Sequence, residues 1–406
     1  MSRDSQQHIV ISGGGIGGLS AALGVARAGY RVTVLEQAST FGEIGAGIQM
    51  GPNAFRAMDR LGVGERARRN AVFIDALVLM DGEDGREVTR IPVGEPFRQR
   101  FGGPYAVAHR ADLHLSLLEG CREDARIELV NDQRVVDYEQ DDSGVTVLTA
   151  AGERVHGAAL VGCDGLKSPV REKIVADGPP RVSGHITYRA VLPINEMPED
   201  LRWNAATLWA GPGYHLVHYP LRGWELFNIV ATFQSDRTTE GAGEAGSREE
   251  ILSRFATLVP KARRILETPE SWRLWVLCDR APVTNWTDGC VTLLGDAAHP
   301  TLQYFAQGAC MAIEDGVCLA DKLAGSPQSI GAAFAGYQDD RMARTARIQE
   351  QSRLIGEFIY HADGARRLLR NAVMSAKSPE DYYNDLQWLY GGGPGHTRRE
   401  PWRLER

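Results

Sequence analysis

The segment LLGDAAHPTLQYFAQGACMAIEDG, Leu293 to Gly316, gathers residue types that seldom share one loop. An apolar run ends at Gly295-Asp296 and is followed by His299-Pro300, Gln303 and a row of small residues. A carboxylate at a strand end accepts hydrogen bonds from hydroxyls, which is the chemistry of holding a sugar alcohol. From about Gly308 the pattern GACMAIEDGVCLADKL reads as a helix, whose free N–H groups suit a carbonyl carrying negative charge. Far upstream, His215 stands in GPGYHLVHYPLRGWELFN. Imidazole is the side chain best matched to proton transfer near neutral pH.

These groups need a scaffold, and the N-terminal stretch HIVISGGGIGGLSAALGVARAGYRVTVLEQ supplies its first part. Ile9 to Ile11 reads as a buried strand, Leu19, Leu23 and Ala26 as a helix face, and RVTVLE as a second strand ending at Glu36. Gly13, Gly15 and Gly18 fill the GxGxxG positions: a tight turn, close approach of backbone to a pyrophosphate, and helix–strand packing. Ile16, within the same stretch, is also expected at the cofactor, and the N-terminus of the helix offers its N–H groups to the phosphates. Glu36 is placed to accept hydrogen bonds from a ribose diol and would repel a 2′-phosphate. NAD and FAD proteins share this fingerprint, so it leaves the dinucleotide open.

A second strand end lies in VHGAALVGCDGLKSPVRE, where Ala158 to Val161 runs into Cys163-Asp164-Gly165. Taken alone, Asp164 reads better as a surface turn with an Asx-type hydrogen bond.

The fingerprint, CDGLKSPVR and GDAAHP, in this order, resemble the single-component FAD-dependent aromatic hydroxylases of the para-hydroxybenzoate hydroxylase type. FGEIGAGIQMGPNAFRAMDRLGV and HRADLHLSLL carry the same resemblance, which spans about residues 8 to 360. It implies a Rossmann-like FAD-binding domain, an antiparallel-sheet substrate domain and C-terminal helices, an α/β fold. It also implies that Glu36 binds the adenosine ribose and that Arg110 reaches the FAD phosphate or ribityl region. Asp296 would hold the ribityl chain, Gly308 and Ala309 would face the flavin ring through backbone N–H, and Asp164 would belong to a motif linked to FAD and reduced nicotinamide. There is no second GxGxxG for the nicotinamide cofactor.

Three segments, GEIGAGIQMGPNAFRAMDRLGVGE, RFGGPYAVAHRADLH and HPTLQYFAQGACMAIEDG, look most like the branch that converts 3-hydroxybenzoate to 2,5-dihydroxybenzoate with NADH and O2. Salicylate and 6-hydroxynicotinate hydroxylases are the neighbouring alternatives. The resemblance implies a flavin C4a-hydroperoxide that attacks an electron-rich ring, so a phenol near deprotonation and a base are wanted. Period-2 alternation puts His215, Val217 and Tyr219 on one strand face and His218 on the other. His215 is the expected base, supported by a matching active-site histidine in the family; a polar residue on an exposed sheet face is the alternative. Gln303 would bond the phenolic oxygen, or else cap its loop. Tyr219 and Tyr105 are candidates for holding carboxylate or ring, or for packing, and His299 reads as structural.

The expected FAD-binding domain is discontinuous, over 1–75, 101–180 and 281–335. A substrate domain of antiparallel strands is expected over 76–100 and 181–280, with YHLVHYPL and LFNIVATF among its strands, and a helical region over 336–406. TTEGAGEAGSREE reads as a mobile loop and GGGPGHTRRE as flexible. The arginines of RMARTARIQEQSRLIGEFIYHADGARRLLRNAV, interspersed with acids, predict a solvated helix or a dimer contact.

The 406 residues carry a net charge of −7, which argues against generic binding to nucleic acid or anionic membrane. Six cysteines form no CxxC pair, against zinc and dithiol centres and in keeping with a reducing cytosol. Ile9 to Ala26 is uncharged over eighteen residues, but its glycines fit the phosphate cradle better than a membrane span. The expected partners are an aromatic acid and O2, in a cytoplasmic monomer or homodimer without a metal. A flavin halogenase would carry a WxWxIP-like stretch, which is absent, and a prenyl-protein escort would have no need of Glu36, Arg110 and Asp296.

Overall fold

A computed structural model describes residues 8–42, 45–326 and 329–392. Its centre is a six-stranded sheet in which β1 (His8–Ser12) pairs in parallel with β2 (Arg31–Leu35) on one side and Ala159–Gly162 on the other. Ile127–Val130 extends it beyond β2, and Val291–Leu293 and Thr287–Asp288 extend it past Ala159–Gly162. Ile9, Val10 and Ile11 are fully buried, as continuous apolar runs in a parallel sheet covered on both faces should be.

Helix α1 (Ile16–Arg27) follows β1 and crosses the helix Gly308–Gly325 at glycines. A Cβ on Gly24 would fall inside the carbonyl of Gly316, and one on Gly316 would lie 2.7 Å from the Ser20 backbone. The uncharged stretch Ile9 to Ala26 is therefore a strand, a turn and a helix, and no helix among the described residues is long and apolar enough to cross a membrane.

The second large element is an eight-stranded sheet. Its middle strands, Arg181–Pro193, Leu226–Gln234, Tyr214–Leu221 and Ala205–Gly211, are antiparallel. Ala76–Asp81 joins Ala205–Gly211 in parallel, so the sheet is mixed and not wholly antiparallel as expected. The chain reaches Ala76 from Val72–Phe73, which belongs to a separate three-stranded sheet with Gly47–Met50 and Ala106–His109. Leu216, Ile229, Phe233 and Trp209 point to the back, where helices Arg248–Arg254 and Pro260–Glu267 close a second core. The front faces the six-stranded sheet.

Three expectations fail for stated reasons. TTEGAGEAGSREE is not simply a loop: Ala242–Ala245 pairs as an edge strand with Arg273–Asp279, and Ser247 caps the next helix by accepting from Glu250 N at 3.2 Å. The S-x-x-E spacing that signals such a cap was present in the sequence. The C-terminal helix begins at Ile330, capped by Ser329, and not at about 336. Its arginines do not make a solvated face. Buried Arg341 pairs with Glu314 (2.7 Å) and Asp315 (2.6 Å), Arg344 pairs with Glu314 (2.8 Å), and Arg353 pairs with Asp279. Arg367 and Arg370, on the helix Gly364–Ser375, both reach buried Asp81. Of the terminal GGGPGHTRRE, all but the first two residues lie outside the described residues.

Candidate active site

One cavity of about 920 Å³ runs between the two sheets, from the glycine turn after β1 to the front of the eight-stranded sheet. At the first end the backbone is shaped for a phosphate. Gly13 has φ +101°, and a Cβ there would overlap the Cys163 carbonyl. A Cβ on Gly18 would overlap the Gly13 carbonyl, so the helix lies directly against the turn. Gly15 is the N-cap of α1, Ile16 is its first residue, and the helix start has neither a side-chain cap nor an acidic residue in its first turn. Its N–H groups are left to a ligand. Glu36, just past β2, is fixed by Gly14 N (2.7 Å) and Ala38 N (2.8 Å) and lines the same cavity.

Asp164 follows the strand Ala159–Gly162 and lines the cavity. Its Oδ2 accepts from Ser12 Oγ at 3.2 Å, while Oδ1 is buried with no hydrogen-bond partner of good geometry among the described residues. Burial pushes its pKa up to about 6. Asp296 stands in a 3₁₀ turn, Gly295–Ala297, and is exposed to the cavity. The turn is held from behind by His299, whose Nε2 lies 2.6 Å from Asp315 Oδ2, so His299 is structural. Arg110 opens the helix Arg110–Glu123 at the cavity edge. The helix Gly308–Gly325 starts where the sequence places it; Gly308 and Ala309 line the cavity, and this start too lacks a side-chain cap and acidic first-turn residues.

The far wall is built from rows across the sheet. His215, Thr232 and Thr187 stand in register, and Val217, Val230 and Arg189 form the next row. His215, Val217 and Tyr219 all line the cavity, and His218 points to the back, where it accepts from Trp209 Nε1 at 3.0 Å. Tyr105 also lines the cavity and donates to Gln49 Oε1 at 2.7 Å. Burial drives the Tyr219 pKa upward, with the charge of Arg189 opposing it.

Arg189 was not foreseen. It faces the cavity, its Nε is buried without a partner, and no carboxylate pairs with it among the described residues. Burial lowers its pKa, yet a guanidinium stays charged in proteins. Among the described residues its one hydrogen bond runs from Nη2 to Gln303 Oε1, at 2.7 Å. Gln303 Nε2 in turn donates to Thr232 (3.0 Å) and Thr187 (3.4 Å). Gln303 therefore reaches the cavity, but its amide hydrogens are spent on the wall and not left for a phenolic oxygen, as the sequence reading had it. The sequence signal for Arg189 was weak, since the strand Arg181–Pro193 also carries Arg181, Ser183, His185 and Thr187 on the same face.

His215 is buried, and its Nδ1 lies 2.7 Å from His361 Nε2. Burial, then the nearby His361 and His185, holds its pKa well below the usual histidine range. Tyr304 and Tyr360 pack edge-on against it. No group of three or more His, Cys, Asp or Glu suited to a metal ion occurs among the described residues.

A turn with no room for a Cβ, two uncapped helix starts, a carboxylate at a strand end and an orphaned Asp164 oxygen fit one dinucleotide stretched along the cavity. The chain belongs to the FAD-binding domain family, whose model matches residues 6–352. It binds FAD and has the fold of the flavin-dependent aromatic hydroxylases. Among its relatives, the 3-hydroxybenzoate 6-hydroxylase of Polaromonas naphthalenivorans is 52% identical over 96% of both chains. The 3-hydroxybenzoate 6-hydroxylase 1 of Aquipseudomonas alcaligenes is 50% identical over 95% of this chain and 97% of its own. Klebsiella pneumoniae HpxO with FAD and uric acid has the same fold, with a TM-score of 0.85 at 24% identity over 96% of this chain and 98% of that one.

Proposed function

We propose that the protein hydroxylates 3-hydroxybenzoate para to its hydroxyl, giving 2,5-dihydroxybenzoate (gentisate) and water from O2 with NADH as reductant. The observation that carries this reading is a cation and a base on one wall: Arg189, without an acidic partner among the described residues, and buried, neutral His215. They lie two strands and one residue pair apart, roughly 12 Å between Cα atoms at ordinary sheet spacings. That span suits an aromatic ring with a carboxylate at one end and a hydroxyl toward the other. Two full-length relatives near half identity carry this activity in their names.

The residues divide the work. Glu36 holds the adenosine ribose, the α1 start holds the pyrophosphate, Arg110 and Asp296 hold the phosphate–ribityl stretch, and the amides of Gly308 and Ala309 face the ring system. Bound FAD supplies the redox chemistry, accepting hydride from the nicotinamide and activating dioxygen. Arg189 binds the substrate carboxylate, with Tyr219 and Tyr105 beside it on the cavity wall. His215 takes the phenolic proton, which raises electron density at the para carbon. Gln303 keeps Arg189 in place while bordering the same space. Residues of one chain line the cavity, in keeping with a monomer or a homodimer. Six unpaired cysteines and the use of NADH support a cytosolic setting.

The test is NADH oxidation by the holoenzyme over the hydroxybenzoate isomers and 6-hydroxynicotinate, with product identification. Gentisate from 3-hydroxybenzoate is expected; catechol from salicylate as the preferred product would overturn the reading.

A further inference from the structure

The mechanism above uses His215 and leaves unexplained what lies behind it. His361 follows the π-helical turn Gly356–Tyr360, and its carbonyl accepts from Gly213 N, in the turn that leads into the His215 strand. Two segments 146 residues apart are thus tied where the two imidazoles meet at 2.7 Å. The Nδ1 of His361 is buried with no partner. The next titratable ring is His185, 4.5 Å from His361 between centroids and bonded through Nδ1 to Tyr304 OH at 2.9 Å. Exposure rises along this series: His215 is 1% exposed, His361 7%, and His185 is only half-buried.

We propose that His361 is the proton-carrying partner of His215, and that the imidazole pair conducts the phenolic proton from the cavity toward His185 and solvent. The inference rests on the hydroxylase reading. The phenol O–H bond breaks and its proton bonds to His215 Nε2. The hydrogen on His215 Nδ1 passes to His361 Nε2, and the hydrogen on His361 Nδ1 leaves by way of the half-buried His185 to bulk water. Both rings end neutral with hydrogen on Nε2, so His215 now donates to the phenolate oxygen. The same path in reverse returns a proton to that oxygen when product forms. His361 does not touch the substrate and is a positioning residue.

The surroundings suit transfer without trapping the proton. Burial first, then the charge of His185, pushes the His361 pKa down to about 3, and burial with the charge of Arg353 takes His185 to about 4. The other groups at the cluster are Tyr304 and Tyr360; Asp279, the nearby acid, is paired with Arg353 and Arg181. Among the described residues no carboxylate touches either ring of the pair, so neither is fixed as an imidazolium.

The test mixes oxidised holoenzyme with 3-hydroxybenzoate in weak buffer containing a pH indicator, following the flavin spectrum for binding and the indicator for proton release. Wild type is expected to release a proton as it binds. His361→Gln should bind 3-hydroxybenzoate with the same flavin perturbation but release the proton at least about tenfold more slowly, within the usual range of proton-transfer assistance. Imidazole should restore the rate in His361→Ala. In wild type, where no variant need fold, release rates in H2O–D2O mixtures should curve as for two protons in flight. Equal release in wild type and His361→Gln, or a straight isotope plot, overturns the relay. Binding without any release overturns it too, while gentisate formation would leave the hydroxylase reading standing. Failure of every hydroxybenzoate to perturb the flavin or yield gentisate brings down that reading and the relay together.

Discussion

Gln303 Oε1 accepts from Arg189 Nη2 at 2.7 Å, and that contact fixes which way the amide faces. A guanidinium has only donors, so the oxygen must turn to it and the nitrogen to the two threonines. A neutral side chain thus orients a cavity-facing cation without neutralising it.

Gln303→Glu converts this arrangement into an internal ion pair. The new carboxylate occupies the charge that the substrate acid would use. Weakening of 3-hydroxybenzoate binding by about 10- to 100-fold is expected, the worth of one charged hydrogen bond of about 1.5–3 kcal/mol. Titration of the flavin spectrum reads it, with FAD affinity as the control. An unchanged dissociation constant would remove Arg189 as the carboxylate anchor.

Asp296→Ala removes an acceptor placed for a sugar alcohol. FAD should bind about 10- to 100-fold more weakly for the same reason, with circular dichroism and denaturation midpoint little changed. Flavin fluorescence on titration into stripped protein measures this. Wild-type affinity would take Asp296 out of the cofactor site.

Asp164 carries a pH signature. Its folded pKa of about 6 lies above the roughly 3.9 of an unfolded aspartate. The folded state therefore binds the extra proton between those values, and stability is lost as pH rises from about 4 through 6. Asp164→Asn should match wild type near pH 4 and exceed it by about 1–3 kcal/mol above pH 6.5, allowing for partial exposure of the residue. Denaturant unfolding of FAD-free protein across this range is the measurement, and a difference that does not vary with pH would contradict the assignment.

Arg341→Met strips two buried acids of a shared partner. Glu314 keeps Arg344 and Asp315 keeps His299, but the pair loses the guanidinium between them. A loss of about 3–5 kcal/mol is expected, as for breaking a buried ion pair from one side. Urea midpoints compare the proteins. A variant as stable as wild type would show that Arg344 and His299 suffice.

The cofactor end of the site was legible in the sequence because its logic is local. Gly13, Glu36, Asp296 and Gly308 each sit at an element boundary that short-range pattern exposes, and each lines the cavity, while Gly18 packs the helix against the turn. Strand alternation put His215 and Tyr219 on one face, and the family resemblance, not alternation, singled out His215 as the base. His361 was not, because it reaches His215 from 146 residues away, behind a helix whose face gives no hint of what it will meet. The arginines after residue 336 misled for the same reason: their acids, Asp81, Asp279, Glu314 and Asp315, lie in other elements. Gln303 was placed in the right space but given the wrong bond, since its partners are set by sheet register.

The Arg341–Glu314–Asp315 cluster bears on how this chain can be recombined. A chimaera of two homologues joined anywhere between residues 316 and 340 takes its acids from one parent and its arginines from the other. Parents that differ at any of these positions would leave a stranded buried charge at the seam. Crossover points for shuffling this enzyme therefore belong before Glu314 or after Arg344, and the apparent boundary near residue 335 is the place to avoid.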